Sequence, residues 1–498
     1  MSLSSLSLSA RPAPVTRTTV TSACILLGAL VCVGVFAGAL AYSTKLGVII
    51  LLAICFIPLA VTRLQLAICG WMVLVFLAST TTFGSMPNRV LLFVGLCWIG
   101  LLVGRRIRRG NVLGDDYRII VLVVVFISWV VLSLAWAPAP GTTSVQVKQL
   151  LYGGFSVILL LGAVVERRHV RWVATAFVAG AAVSVLWGAA KGGLSLSTGA
   201  GSEVADSAGR FQGGAGDPNY LAAVLVPAIM LAGGLAAVRR APFLRALLVP
   251  ATVIIAVGLA ATQSRGGLIA AGVCAVVALA IWPGRRALIG TLIAFAVGST
   301  AAFFLVNPAA WSRILESNQG SGRVDIWQVA WRIVHDHPFF GVGFGQFPQV
   351  SPHYVLQPGA LKYISLIVEK QIVVHNLYLE LWVEEGIIGL LLFGLLAGGS
   401  LISGWLAVRS FDAQRDIEMA ALARASILAL VGMLTATFFL SDLENGQLWI
   451  LLALGPVLAA LARRQAGHLR VAPDSDIAPE RSPPTLPGLK ARRSIPLR

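Results

Sequence analysis

Charge is scarce in this chain. Of 498 residues, 12% are charged and 57% hydrophobic, and the mean hydropathy is +0.85. That excludes an ordinary water-soluble protein, whose chain is about 25% charged, because one soluble core could not hide so much apolar side chain. Cysteine is scarce too. All six (Cys24, Cys32, Cys55, Cys69, Cys97 and Cys274) fall inside apolar runs, which excludes a disulfide framework and a Cys-based metal site. Ionisable residues are nearly absent from the middle of these runs, which weighs against an ion-coupled carrier, whose helices keep such groups at mid-membrane. Arg424 is expected in the first turn of its helix, near one membrane face. Acid is scarcer than base, with 21 Asp and Glu against 38 Lys and Arg. The resulting charge of +17 would suggest nucleic acid in a soluble protein, yet no basic patch interleaves with aromatics, and no nucleic-acid partner is expected.

What is abundant is apolar sequence in long stretches. Runs of roughly 16 to 23 residues suit helices crossing about 30 Å of hydrocarbon, whereas barrel strands would be shorter and alternating. The sequence predicts an all-α polytopic integral membrane protein with about 12–14 transmembrane helices and one long helical extracytoplasmic loop. Spans are expected near 20–42, 46–61, 64–83, 90–104, 119–136, 150–165, 172–190, 219–238, 246–261, 268–282, 287–306, 386–408, 420–440 and 447–462. The division is a cytoplasmic segment (1–19), a transmembrane domain (20–462) containing the long loop 307–385, and a disordered basic cytoplasmic tail (463–498). The first apolar run follows Arg11 and Arg17 and contains Ala39-Leu40-Ala41, which mimics a cleavage site, but its core is long for a signal peptide and it is taken as a span. The tail, rich in Pro and Arg, is expected to be drawn to anionic lipids.

Paired arginines set the orientation. With the N-terminus inside, alternate loops carry RRIRR (105–109), ERRHVR (166–171), VRRAPFLR (238–245), PGRR (283–286) and RSFDAQR (409–415), followed by ARRQAGHLR (462–470). The positive-inside rule makes that side the cytoplasm. The opposite side holds the short turn 262–267, a Gly/Ser-rich loop at 191–218 and the long segment 307–385. Loops of that length without a role are uncommon, so function is expected outside.

Four outer stretches stand out: GDPNYLA (216–222), QSRGG (263–267), SGRVDIWQVAWRIVHDHPFFGVGFGQF (321–347) and VVHNLYLELWVEEGIIGLLLF (373–393). In the third, Val324, Trp327, Trp331 and Val334 recur at three- and four-residue steps, predicting an amphipathic helix that ends near Pro338. GVGFG looks like a phosphate-cradling loop, but no strand precedes it, and a tight flexible turn is the expectation. His335, His337 and His353 lack the carboxylate spacing of a metal site, and neither metal nor cofactor is expected.

These stretches resemble the O-antigen ligases and O-antigen polymerases, with related protein O-oligosaccharyltransferases and capsule or teichuronic-type polymerases. The resemblance rests on the S-R-G-G turn, the G-R-x-x-x-W helix, the H-P-x-x-G-x-G-x-G-x-F turn and the H-N-x-Y-L-x-x-x-x-E-x-G-x-x-G run, and covers roughly 216–393. It implies a metal-independent glycosyltransferase in the bacterial inner membrane. Such an enzyme moves a glycan from a polyprenyl-pyrophosphate carrier to a glycan, lipid or protein acceptor on the extracytoplasmic face. It also points to Arg265, Arg323 and His375 as functional residues.

The chemistry suits those residue types. A leaving pyrophosphate needs its charge balanced, which the planar donor fork of arginine does. An attacking hydroxyl must lose a proton, and a histidine can take it. His375 is the candidate base, with Glu384 as alternative base or orienting partner. Arg265 and Arg323 are the candidate donor ligands, and Arg210, Asp217 and Asn376 are further candidates for binding substrate. Each also has a plainer reading. Arg265 could anchor at headgroups, Arg323 could be a solvated helix residue, His375 and Asn376 could cap the following helix, and Asp217 could cap a helix with Pro218 in its first turn. Asp115 and Asp116 are taken as loop charges. The competing function is a transporter or flippase of an envelope precursor. A noncatalytic scaffold would explain the helices but not the outward arginines.

Overall fold

The computed structural model describes residues 56–79, 84–106, 117–192, 210–236, 242–282, 323–355 and 372–471, with a few isolated positions besides. Among these the regular structure is helical, with no strand. In chain order the helices are α1 (Leu64–Val75), α2 (Met86–Arg106), α3 (Tyr117–Ser133), α4 (Ser144–Ala163), α5 (Arg167–Gly192), α6 (Pro218–Leu235), α7 (Pro242–Thr262), α8 (Arg265–Ile281), α9 (Arg323–Asp336), α10 (Phe347–Val355), α11 (Leu377–Ala413), α12 (Ile417–Ala436) and α13 (Gly446–Val471). Among the described residues, seven helical segments are long and apolar enough to cross a membrane (86–103, 140–163, 167–191, 218–235, 377–413, 417–439 and 446–466), and four shorter apolar helices accompany them. The protein is therefore an all-α polytopic membrane protein. The expected span 20–42 and the acidic pair Asp115/Asp116 lie outside the described residues, as do most of 46–61 and 287–306 and the tail beyond Val471.

Burial sorts the helices into layers. In α6, α12 and α13 the apolar stretches are 72%, 78% and 89% buried, against 28% and 33% in α2 and α11. The first three form the centre, while α2 and α11 turn Leu96, Val103, Leu391 and Leu395 outward, as helices facing lipid do. At the centre, α13 meets α11 so closely that a Cβ on Gly455 would lie 2.2 Å from the Ser400 carbonyl oxygen. Only glycine permits that approach.

Three expectations shift. α11 starts at Leu377 rather than 386, and Gly386 (φ 68°, ψ −175°) breaks it where the outer loop was expected to end. Arg424 sits beyond the first turn of α12, because that helix already begins at Ile417. In α9 the helix is where its spacing predicts, but its buried face is Ile326, Val329, Ala330, Ile333 and Val334, with Val324 and Trp331 each 52% exposed. The reason is a second apolar core separate from the membrane bundle. There α9 packs on Phe347, Tyr354, Val374, Leu379 and Val383, and that surface selects the neighbouring stripe.

Candidate functional site

The turn between α7 and α8 is built to present Arg265. Gln263 takes a left-handed backbone (φ 51°). Ser264 caps α8 by accepting the Gly267 N–H at 3.3 Å, so Arg265 becomes the first helical residue, and it is exposed. Ser264 Oγ also donates to Asn219 Oδ1 at 2.9 Å. Arg210, 8% exposed, donates from Nε to the Thr262 carbonyl at 2.9 Å and from a terminal nitrogen to Asn219 Oδ1 at 3.0 Å. Asp217 caps α6, accepting the Asn219 and Tyr220 N–H groups at 2.7 and 2.9 Å. Arg210 and Asn219 thus fasten the 210–220 segment to the Arg265 turn, while Asp217 sets the start of α6. A Cβ on Gly266 would lie 3.1 Å from the Phe439 ring, and one on Gly267 2.7 Å from Ala222 Cβ. Both glycines serve helix packing.

The second element is the bend before α11. His375 is half-buried and holds φ 55°, a conformation costing a non-glycine residue about 1–2 kcal/mol. Its neighbours hold it there. The His375 N–H donates to Ser441 Oγ at 2.9 Å, and the Leu377 N–H to the Leu440 carbonyl at 3.1 Å. Asn376 Oδ1 caps α11 by accepting the Tyr378 and Leu379 N–H groups at 3.0 and 3.1 Å. Asn376 therefore is a cap, as its plainer reading had it.

These elements converge on one short turn that the sequence reading did not single out. The 3₁₀ turn Thr437–Phe439 follows α12. Phe439 lies against Gly266, and the Phe438 ring meets Trp327 of α9 at 6.1 Å and Tyr378 at 6.3 Å. Trp327 Nε1 in turn donates to the Val374 carbonyl at 3.0 Å, joining α9 to the His375 bend. Arg323, half-buried, opens α9 one turn before Trp327. Between α8, α11 and α12 is an open apolar groove of about 480 Å³ lined by Ile269, Tyr378, Val431, Leu434, Phe438 and Phe439, with Thr435. It lies one turn along α8 from Arg265, and its Tyr378 wall follows His375 by three residues.

Beyond the turn, Asp442 lies against the Tyr220 hydroxyl and accepts Asn445 Nδ2 at 2.7 Å. Burial pushes the Glu444 carboxyl up to about 7. A signal was present in the sequence, since SDLEN puts two acids and an amide in a very short link between two apolar helices.

The glycine turn has a different job from anion binding. The break at Gly386 releases the last carbonyls of the first part of α11. The Val342 N–H donates to the Val383 carbonyl at 3.0 Å and the Gly343 N–H to the Glu384 carbonyl at 2.8 Å. The Glu385 carbonyl accepts Trp129 Nε1 at 3.1 Å. Glu384, 4% exposed, accepts the Gly345 N–H on one carboxylate oxygen (2.8 Å) and the Phe347 N–H on the other (3.2 Å). Ser133 Oγ donates to Glu385 Oε1 at 2.8 Å and accepts the Phe344 N–H at 3.1 Å. The turn's amides are thus consumed by the broken helix and by α3. Left-handed backbone at Gly341, Gly343 and Gly345 makes this possible.

His335 and His337 are exposed at the end of α9. Among the described residues, no three His, Cys, Asp or Glu side chains are grouped to hold a metal ion.

Residues 250–394 match the family model described as O-antigen ligase. No curated protein matches the chain. The matched segment contains Arg265, Arg323, His375 and Glu384, whereas Arg210, Asp217 and the 437–445 turn lie outside it. The match supports a membrane glycan ligase- or polymerase-type function and, with the apolar helices, a multi-pass membrane protein.

Proposed function

We propose that this protein is a metal-independent glycosyltransferase that moves a glycan from a polyprenyl-pyrophosphate carrier to an acceptor hydroxyl at the extracytoplasmic face of a bacterial inner membrane. One observation carries the reading. The Arg265 turn, the helix opened by Arg323 and the His375 bend come from three separate parts of the chain and pack on the same 437–441 turn, beside an open apolar groove. A lipid-linked donor needs that combination, because its tail stays in hydrocarbon while its headgroup reacts just outside.

In this reading the isoprenoid tail enters the groove and Arg265 and Arg323 hold the pyrophosphate. The acceptor oxygen attacks the anomeric carbon as the bond from that carbon to the pyrophosphate oxygen breaks. The electron pair leaves with the pyrophosphate, whose growing charge the two guanidinium groups balance. His375 takes the hydroxyl proton. Single displacement from the face opposite the leaving group inverts the anomeric centre, by analogy with inverting glycoside chemistry. Glu384 acts as the holder of the glycine turn rather than as the base, since both its oxygens already accept backbone N–H groups. Arg210, Asp217 and Asn376 act through backbone placement.

His375→Ala tests the reading with purified protein and lipid-pyrophosphate donor. Loss of a positioned proton acceptor lowers transfer by about 100- to 10,000-fold, with membrane insertion and thermal stability close to wild type and no effect of chelator on the parent. Full activity in His375→Ala would remove histidine from the chemistry.

A further inference from the structure

The outer face of α9 carries a feature that donor chemistry does not use. Gln328, Trp331, Arg332, His335 and Asp336 line an open cleft of about 510 Å³, within the size range of small-molecule sites. It is unlike the groove beside Arg265. There the walls are almost wholly apolar; here one large ring is surrounded by four polar side chains.

Trp331 is 52% exposed, yet it is not loose. Its ring packs edge-to-face on Trp382 of α11 at 5.3 Å and 71°, and Trp382 is pinned by a hydrogen bond from Nε1 to the Pro338 carbonyl at 3.2 Å. Arg332 and Asp336 are held as well. Arg332 donates to the Tyr354 carbonyl at 2.8 Å, and Asp336 bonds to the Tyr354 hydroxyl and lies 3.4 Å from His335 Nδ1. The Tyr354 and His335 contacts hold the Asp336 carboxyl below its usual range.

We propose that this cleft is a saccharide subsite, holding one or two sugar units of a glycan substrate away from the reacting bond. A pyranose ring offers one face of C–H groups and a rim of hydroxyls. An exposed, rigid indole matches that face at small entropic cost. Gln328, Arg332, His335 and Asp336 supply donors and acceptors for the rim. A lipid surface is the poorer fit, because Arg332, His335 and Asp336 border the ring and would lose water there. The inference rests on the glycan-transfer reading, and it adds a place where chain length is sensed.

The test uses full-length protein in detergent micelles and oligosaccharides released by mild acid from the producing cell's own envelope polysaccharide. Saturation-transfer NMR reads binding without requiring turnover. The wild type and Arg265→Lys should both bind, Trp331→Ala should bind at least tenfold more weakly, and Trp331→Phe should recover most of the loss. Gln328→Ala, at an exposed position that cannot upset folding, should weaken binding severalfold. In transfer assays Trp331→Ala should raise KM for long glycans with kcat and short-glycan KM nearly unchanged. Equal binding by wild type, Trp331→Ala and Gln328→Ala, or no binding by the wild type, overturns the subsite. The donor reading is judged separately by the Arg265→Lys transfer rate, so each can fail without the other.

Discussion

The two ends of the helix bundle treat charge in opposite ways. At one end arginines meet carboxylates. Arg167 pairs with Asp416 and Arg424 with Asp412, each at 2.6 Å, and Arg424 also donates to the Ile281 carbonyl and lies over Trp282. At the other end several carboxylates face backbone and hydroxyl groups instead. Asp217 caps a helix, Glu384 holds the glycine turn, Glu385 accepts from Ser133 and Asp442 lies against Tyr220. These acids are occupied by the protein's own structure, while Arg265 is exposed at a helix start beside an apolar groove. An exposed guanidinium at the mouth of a groove suits an anion brought from outside.

The largest expected effect is on the scaffold of the second end. A Cβ on Gly386 would lie 2.0 Å from the Phe339 carbonyl oxygen at a φ of 68°. Gly386→Ala should therefore undock the 338–347 turn, at a cost well above the roughly 1 kcal/mol of a typical substitution. Limited proteolysis should then cut within 338–347, and an uncut arm would mean the break in α11 is not what holds it.

Next is the contrast between the arginines themselves. Bidentate phosphate binding needs the guanidinium fork, whereas anchoring needs only positive charge. Arg265→Lys and Arg323→Lys should each lower transfer about 30- to 1,000-fold, while Arg424→Lys at the opposite end leaves turnover within about twofold. Wild-type turnover in Arg265→Lys would return that residue to the role of anchor and erase the functional difference between the ends.

Glu384→Gln sharpens the assignment of the buried acids. The substitution keeps one acceptor and loses the charge, so thermal unfolding should report a loss of about 1.5–3 kcal/mol. Transfer at low temperature should survive. Abolished transfer in a normally stable Glu384→Gln protein would make this residue the base after all.

The smallest effect concerns Glu444. Its carboxyl is raised by burial to about 7 in the folded protein from an ordinary value of 4.5, so the folded state favours the neutral form. Stability from this group is present below about pH 4.5 and is lost as pH rises through 7. Glu444→Gln should raise Tm at pH 8 and leave it nearly unchanged at pH 4.5. An equal shift at both pH values would mean that ionisation of this residue does not matter.

Composition and the length of apolar runs were enough to determine an all-α membrane protein, because a helix in hydrocarbon satisfies its own backbone groups and needs no partner to be recognisable. Local chemistry was equally legible where it depends on neighbours in sequence. Asp217 with Pro218 and Asn376 cap the helices that follow them, as their sequence context suggested. Tertiary structure decided the rest. The buried stripe of α9 depended on which surface it met, and Val324 and Trp331 lost that competition to Ile326 and Ile333. The sequence favoured a tight turn over an anion cradle at the glycines, but the partners of its amides, Val383, Glu384 and Ser133, were visible only in the structure. The meeting of Gly266, Trp327 and His375 with a turn at 437–441 lay beyond any local pattern. It depends on α12 running back between α8 and α11, and contacts between residues so far apart in sequence are set by packing alone.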